Sequence, residues 1–61
     1  MKLVIEMSLD NAAFYDNEPG EEVKRAVDAA IDRLDFDRDE DREPIIDFNG
    51  NRVGEVVISD E

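Results

Sequence analysis

The chain has no cysteine, no histidine and no tryptophan in 61 residues. Without thiols there is no disulfide to staple the fold and no thiolate to hold a metal. Without imidazoles the usual zinc sites, the Cys/His nucleophile pairs and the common general base of neutral pH are all removed. Basic residues are scarce as well: 7 stand against 18 acids, for a net charge of −11. Such a surface repels nucleic acid and anionic lipid and attracts basic protein surfaces or cations. Direct nucleic-acid binding needs clustered Lys and Arg, and here Lys24, Arg25, Arg33, Arg38 and Arg42 all sit among acids. No apolar run approaches the ~18 residues of a membrane span. The opening Met1-Lys2-Leu3-Val4-Ile5-Glu6 lacks the long apolar region of a signal peptide. The expectation is a cytoplasmic protein with no membrane contact.

What is present is a strong helical pattern. From Pro19 to Leu34, apolar residues fall at Val23, Ala26, Val27, Ala30, Ile31 and Leu34, one stripe of a 3.6-residue period. Glu18 stands at the N-cap, Pro19 suits the first helical position, and Glu21 lies beside the positive end of the helix dipole. Residues 1–61 read as one domain. A chain this short buries only about 60% of the surface its unfolded form exposes, so a second subunit is the cheapest way to enlarge its core.

Around the helix the periodicity changes to two. Leu3, Ile5, Met7 and Leu9 alternate with polar residues, a half-buried strand. Asn11 to Asn17 is less decided, with Phe14 expected to plug one end of the core. Asp35 to Glu43 holds six acids and two arginines and reads as a solvated, mobile loop with Phe36 folded back as a lid. Pro44 opens a strand ending at Phe48, and Val53 to Ser59 forms another. Asn49-Gly50-Asn51 between them is a hairpin signal. Two registers compete. A three-residue loop puts Ile46 and Phe48 on the face of Gly54, Val56 and Ile58, whereas a two-residue loop buries Glu55. An unpaired buried charge costs several kcal/mol, so the first is expected, with Gly54 leaving room where the helix crosses.

The fold class is therefore α+β: a two-layer β-α-β-β domain whose mainly antiparallel three-stranded sheet has the last strand in the middle and one helix on one face. The uncovered face is expected to carry Val4, Ile45, Val53 and Val57. Strand propensity alone explains them. Packing between two copies, through this face or an open strand edge, explains them equally and makes the chain a homodimer.

Chemistry finds little purchase. Asp35, Asp37, Asp39 and Asp41 alternate like the first ligands of a calcium loop, but Glu40 replaces the turn glycine and Ile46 the bidentate glutamate. Paired catalytic carboxylates need a pocket that separates their pKa values, and a small two-layer fold has little room for one. Ser8, Ser59 and Tyr15 have no histidine to activate them. We expect no enzyme activity, no cofactor and no metal. The acids themselves remain. Asp28, Asp32 and Asp35 lie about 6 Å apart along the outer helix face and continue into Asp37, Asp39, Glu40, Asp41 and Glu43. Their order opposes the helix dipole and repels at i,i+4. One reading is a row of carboxylates that imitates a phosphate backbone for a partner protein with a basic surface. The other is a small accessory protein whose charge serves solubility or salt adaptation.

Three short stretches, Asp10-Asn-Ala-Ala-Phe14, Pro19-Gly-Glu-Glu-Val23 and Asp47-Phe48-Asn49-Gly50-Asn51-Arg52-Val53-Gly54, resemble those of very short uncharacterised proteins encoded by bacteriophages, prophages and related mobile elements of bacteria. The resemblance implies a setting, the cytoplasm of an infected bacterium. It also implies a mode of action, binding and inhibiting a host protein.

Overall fold

The structure is a computed structural model and describes residues 1–10 and 18–60. The readings of Asn11 to Asn17, the Phe14 plug among them, lie outside the described residues. Strand β1 is Lys2–Met7, helix α1 is Pro19–Arg33, β2 is Asp41–Ile46 and β3 is Arg52–Ser59. The sheet order is β1-β3-β2, with both pairings antiparallel. The α+β class and the central last strand are as the sequence argued.

The helix begins with Glu18 in an extended conformation and Pro19 in the first turn; the Glu22 amide closes the first turn on the Glu18 carbonyl at 3.1 Å. Ala26 and Ala30 are wholly buried. Their short side chains let the helix settle onto β2 and β3, against Ile45, Val56 and Ile58. Fully burying each of those three aliphatics stabilises the fold by about 1.5–3 kcal/mol. Val27 and Ile31 pack at the margin of this core.

The helix does not cover the whole sheet. Leu3 and Ile5 point to the helix side, opposite Ile58 and Val56, yet stay 46% and 45% exposed. Arg25 and Arg33 reach the outer edge of β2, which places α1 over that half of the sheet and leaves β1 beyond its cover.

The hairpin differs from the expected register. Its turn is Asp47-Phe48-Asn49-Gly50: the Gly50 amide donates to the Asp47 carbonyl at 3.0 Å, and Gly50 takes the left-handed conformation at φ 85°. The Asp47 carboxylate accepts the amides of Asn49 and Asn51 at 2.9 and 2.8 Å. A bulge follows, because Ile45 pairs with Gly54 while Ile46 pairs with Arg52. Ile45 therefore shares the face of Gly54, Val56 and Ile58 and is fully buried, whereas Phe48 sits on the turn at 69% exposure. Ile46 and Phe48 had been expected in the core and Ile45 outside; the turn lies one residue earlier and the bulge restores the alternation.

Strand β2 also starts earlier than Pro44. Asp41, Arg42 and Glu43 pair with Ile58, Val57 and Val56, because an eight-residue β3 offers ladder partners along its length. Pro44 is interior to β2, but β2 is an edge strand, where a missing N–H costs no ladder bond. Gly54 makes room for β1 rather than for the helix. A Cβ there would collide with the Glu6 carbonyl oxygen and lie 2.6 Å from Met7 Cα.

Two glycine substitutions should move stability in opposite directions. Gly54→Ala must push β1 away and should cost about 1–3 kcal/mol. Gly20→Ala lies in the helix with open space around its Cβ and should add about 0.5–1 kcal/mol. Urea midpoints of the two variants check both signs; a tolerated Gly54→Ala would mean that β1 is not seated against Gly54.

Candidate partner-binding surface

The eight acids of the proposed binding row divide into two groups. Asp28 and Asp32 stand exposed on the outer face of α1, and Asp37, Asp39 and Glu40 are exposed in the loop after it. Among the described residues the carboxylates of these five make no hydrogen bond or ion pair. The other three are committed to the fold. Asp35 accepts the Asp37 amide at 3.0 Å. Asp41 accepts the Asp35 amide at 2.9 Å and pairs with Arg38 at 3.6 Å. Glu43 pairs with Arg33 at 3.2 Å. The Asp35 N–H bond is the largest influence holding the Asp41 carboxyl below its ordinary pKa.

The loop is solvated as expected, every residue from Asp35 to Glu40 being exposed, and it is closed by the Arg38 amide on the Asp35 carbonyl at 3.2 Å. Of the alternating aspartates that resembled a calcium loop, Asp35 and Asp41 turn onto backbone amides of the loop, and Asp37 and Asp39 point to solvent. Among the described residues no group of three acids is arranged to hold a metal ion. Phe36, expected as a lid, is 51% exposed in the middle of the acids.

Sequence reasoning missed the carboxylates at the other end of the helix. Glu22 is buried, accepts Arg25 Nε and Nη2 at 2.8 and 3.0 Å, and accepts the Phe48 amide at 2.6 Å. The Arg25 hydrogen bond is the main cause holding the Glu22 pKa below the ordinary glutamate value; burial works against it and the Phe48 amide with it. Arg25 also donates to the Ile46 carbonyl at 3.2 Å and, bound to Glu22 and facing Asp47, is kept still more firmly protonated than usual. One acid and one base of α1 therefore tie the helix N-terminal half to the hairpin turn. The visible signals were an i,i+3 Glu–Arg pair and the Asp-x-Asn-Gly order of a type I turn.

The four residues expected on the uncovered face separate too. Val4 and Val57 do lie there, directly opposite each other. Ile45 is in the core on the helix side, and Val53 occupies the bulge and packs against the core margin. A four-residue apolar patch is reduced to one valine pair beside Glu55, which bonds Arg52 at 3.2 Å and Arg42 at 3.7 Å.

The surface depressions are open and shallow. One of them follows the β1–β3 seam past Glu6, Ser8 and Gly54, where the exposed Ser8 hydroxyl donates to the Asp10 carboxylate at 3.5 Å. Among the described residues no helix is long and apolar enough to cross a membrane. Protein-family models, curated proteins and solved structures give no match to this chain.

The Glu22 tie has a pH signature. A carboxyl whose folded pKa is depressed stabilises the fold above its unfolded value and loses that contribution as pH falls through the folded one. Stability should therefore fall below about pH 4.3, the ordinary glutamate value. Glu22→Gln should be less stable at neutral pH and should show a shallower acid slope, by up to one proton. Parallel slopes for variant and wild type, from urea titrations at several pH values, would remove Glu22 from the account.

Proposed function

We propose that this protein is a non-enzymatic binding module whose acidic helix–loop surface occupies a basic, nucleic-acid-binding groove on a partner protein. The observation that carries the reading is the division of the acids. Asp35, Asp41 and Glu43 are spent on amides and arginines, while Asp28, Asp32, Asp37, Asp39 and Glu40 are left without a bond among the described residues. Phe36, 51% exposed within the acidic run, offers such a partner an apolar contact beside the charges. An exposed aromatic ringed by charge is the kind of anchor from which a protein interface draws its energy. The resemblance to short phage proteins supports a host protein as the partner, met in the cytoplasm of an infected bacterium.

The test is capture from bacterial lysate at low salt by wild type and by a variant carrying Asp28→Asn, Asp32→Asn and Asp39→Asn. Asp35 is left alone because its carboxylate caps the turn. Wild type should retain basic nucleic-acid-binding proteins and release them to competing duplex DNA or raised salt, since screening removes exposed charge pairing. The variant should retain few of them while melting within about 0.5 kcal/mol of wild type. Equal capture by both proteins would reduce the acidic face to solvation.

A further inference from the structure

We propose that the free edge of β1 pairs with β1 of a second copy of this chain, antiparallel and centred on Val4, to give one continuous six-stranded sheet. The argument starts from ladder parity. The Ser8 amide donates to the Val53 carbonyl at 2.7 Å, and the register places Glu6 opposite Glu55, Val4 opposite Val57 and Lys2 opposite Ser59. Because bonded and non-bonded pairs alternate in an antiparallel ladder, Lys2, Val4, Glu6 and Ser8 bond inward to β3. The amides and carbonyls of Leu3, Ile5 and Met7 point out of the sheet, and among the described residues nothing pairs with them.

The opposite edge is closed. On β2, Arg33 Nη2 donates to the Pro44 carbonyl at 2.7 Å and Arg25 Nη2 to the Ile46 carbonyl at 3.2 Å, and Pro44 has no N–H to offer. Charged caps and a proline are how proteins keep an edge strand from adding another. Among the described residues strand β1 carries neither cap, and its Leu3, Val4 and Ile5 are 46%, 38% and 45% exposed.

The occupant follows from the strand's own order, Lys2-Leu3-Val4-Ile5-Glu6. Outward groups must face outward groups, so the available registers differ by two residues. With Val4 opposite Val4 of the second copy, Leu3 and Ile5 oppose each other and exchange the free backbone bonds. Lys2 then stands directly opposite Glu6, twice. A shift in either direction sets Lys2 against Ser8 or Val4 and loses both ion pairs. Residues 1–9 hold one base and one acid, so two strongly acidic chains would meet along a stretch of no net side-chain charge.

Charge reversal tests this on the whole chain. Wild type should sediment at twice its 7.0 kDa mass. Lys2→Glu alone sets Glu against Glu, and Glu6→Lys alone sets Lys against Lys. Each should self-associate about tenfold more weakly, with circular dichroism unchanged. An equimolar mixture of the two variants restores both pairs in a heterodimer and should regain wild-type affinity, as should the double variant Lys2→Glu, Glu6→Lys. On dimerisation the Leu3 and Ile5 amides should gain protection from hydrogen exchange. A wild type that stays monomeric, single variants that associate like wild type, or a mixture that fails to recover would each overturn the proposal. Association without protection of those two amides would overturn edge pairing in favour of face packing.

Discussion

Everything in this small fold depends on where the β2–β3 hairpin turns, and two carboxylates decide it. Asp47 holds the turn from within by accepting the Asn49 and Asn51 amides. Glu22 holds it from the helix by accepting the Phe48 amide. A turn at Asp47 followed by the bulge at Val53 brings Ile45 onto the face of Val56 and Ile58, and only that register supplies the helix with a continuous aliphatic floor. The charges so buried are largely bonded, although among the described residues Asp47 Oδ2 is buried without a partner. Each carboxylate accepts backbone N–H groups, and Glu22 also holds Arg25, so the desolvation cost is met by charge-assisted bonds.

That distinction explains what was legible in the sequence. The helix follows from residue spacing, and the connection rules then leave one economical sheet order; both stand in the structure, whereas the half-buried strand expected from Leu3 to Leu9 ends at Met7 with Leu3, Ile5 and Leu9 exposed. The cost of burying Glu55 favours the three-residue loop, but Glu55 is not the charge that sets the register. The fold buries Asp47 instead, whose shape suits a turn, and leaves Glu55 to Arg42 and Arg52 on the open face. A bulge changes facing parity without changing the hydrophobic pattern, so periodicity alone gives Ile45 and Ile46 equal claim to the core. The early start of β2 was hidden for another reason. Asp41 to Glu43 has no strand propensity to speak of and pairs because β3 extends alongside it.

The candidate surface was legible only as charge. Eight acids looked equivalent along the chain, yet Asp35, Asp41 and Glu43 close the loop and brace the helix end. What remains outward is a smaller set, Asp28, Asp32, Asp37, Asp39 and Glu40, now joined by Phe36. Helix position sorts the remaining functions of the chain. The arginines of α1 face the β2 edge and seal it, Glu22 turns inward to the hairpin, and Asp28 and Asp32 face solvent. Strand β1 lies outside the helix's cover.

The central claim is the register set by Asp47 and Glu22, and the most direct measurement is a nuclear Overhauser map of methyl contacts in labelled protein. The account predicts strong contacts from the Ile45 methyls to the Ala26 and Ala30 methyls, with the Phe48 ring remote from both alanines. Contacts from Ile46 and the Phe48 ring to those alanines, with Ile45 on the opposite face, would contradict it.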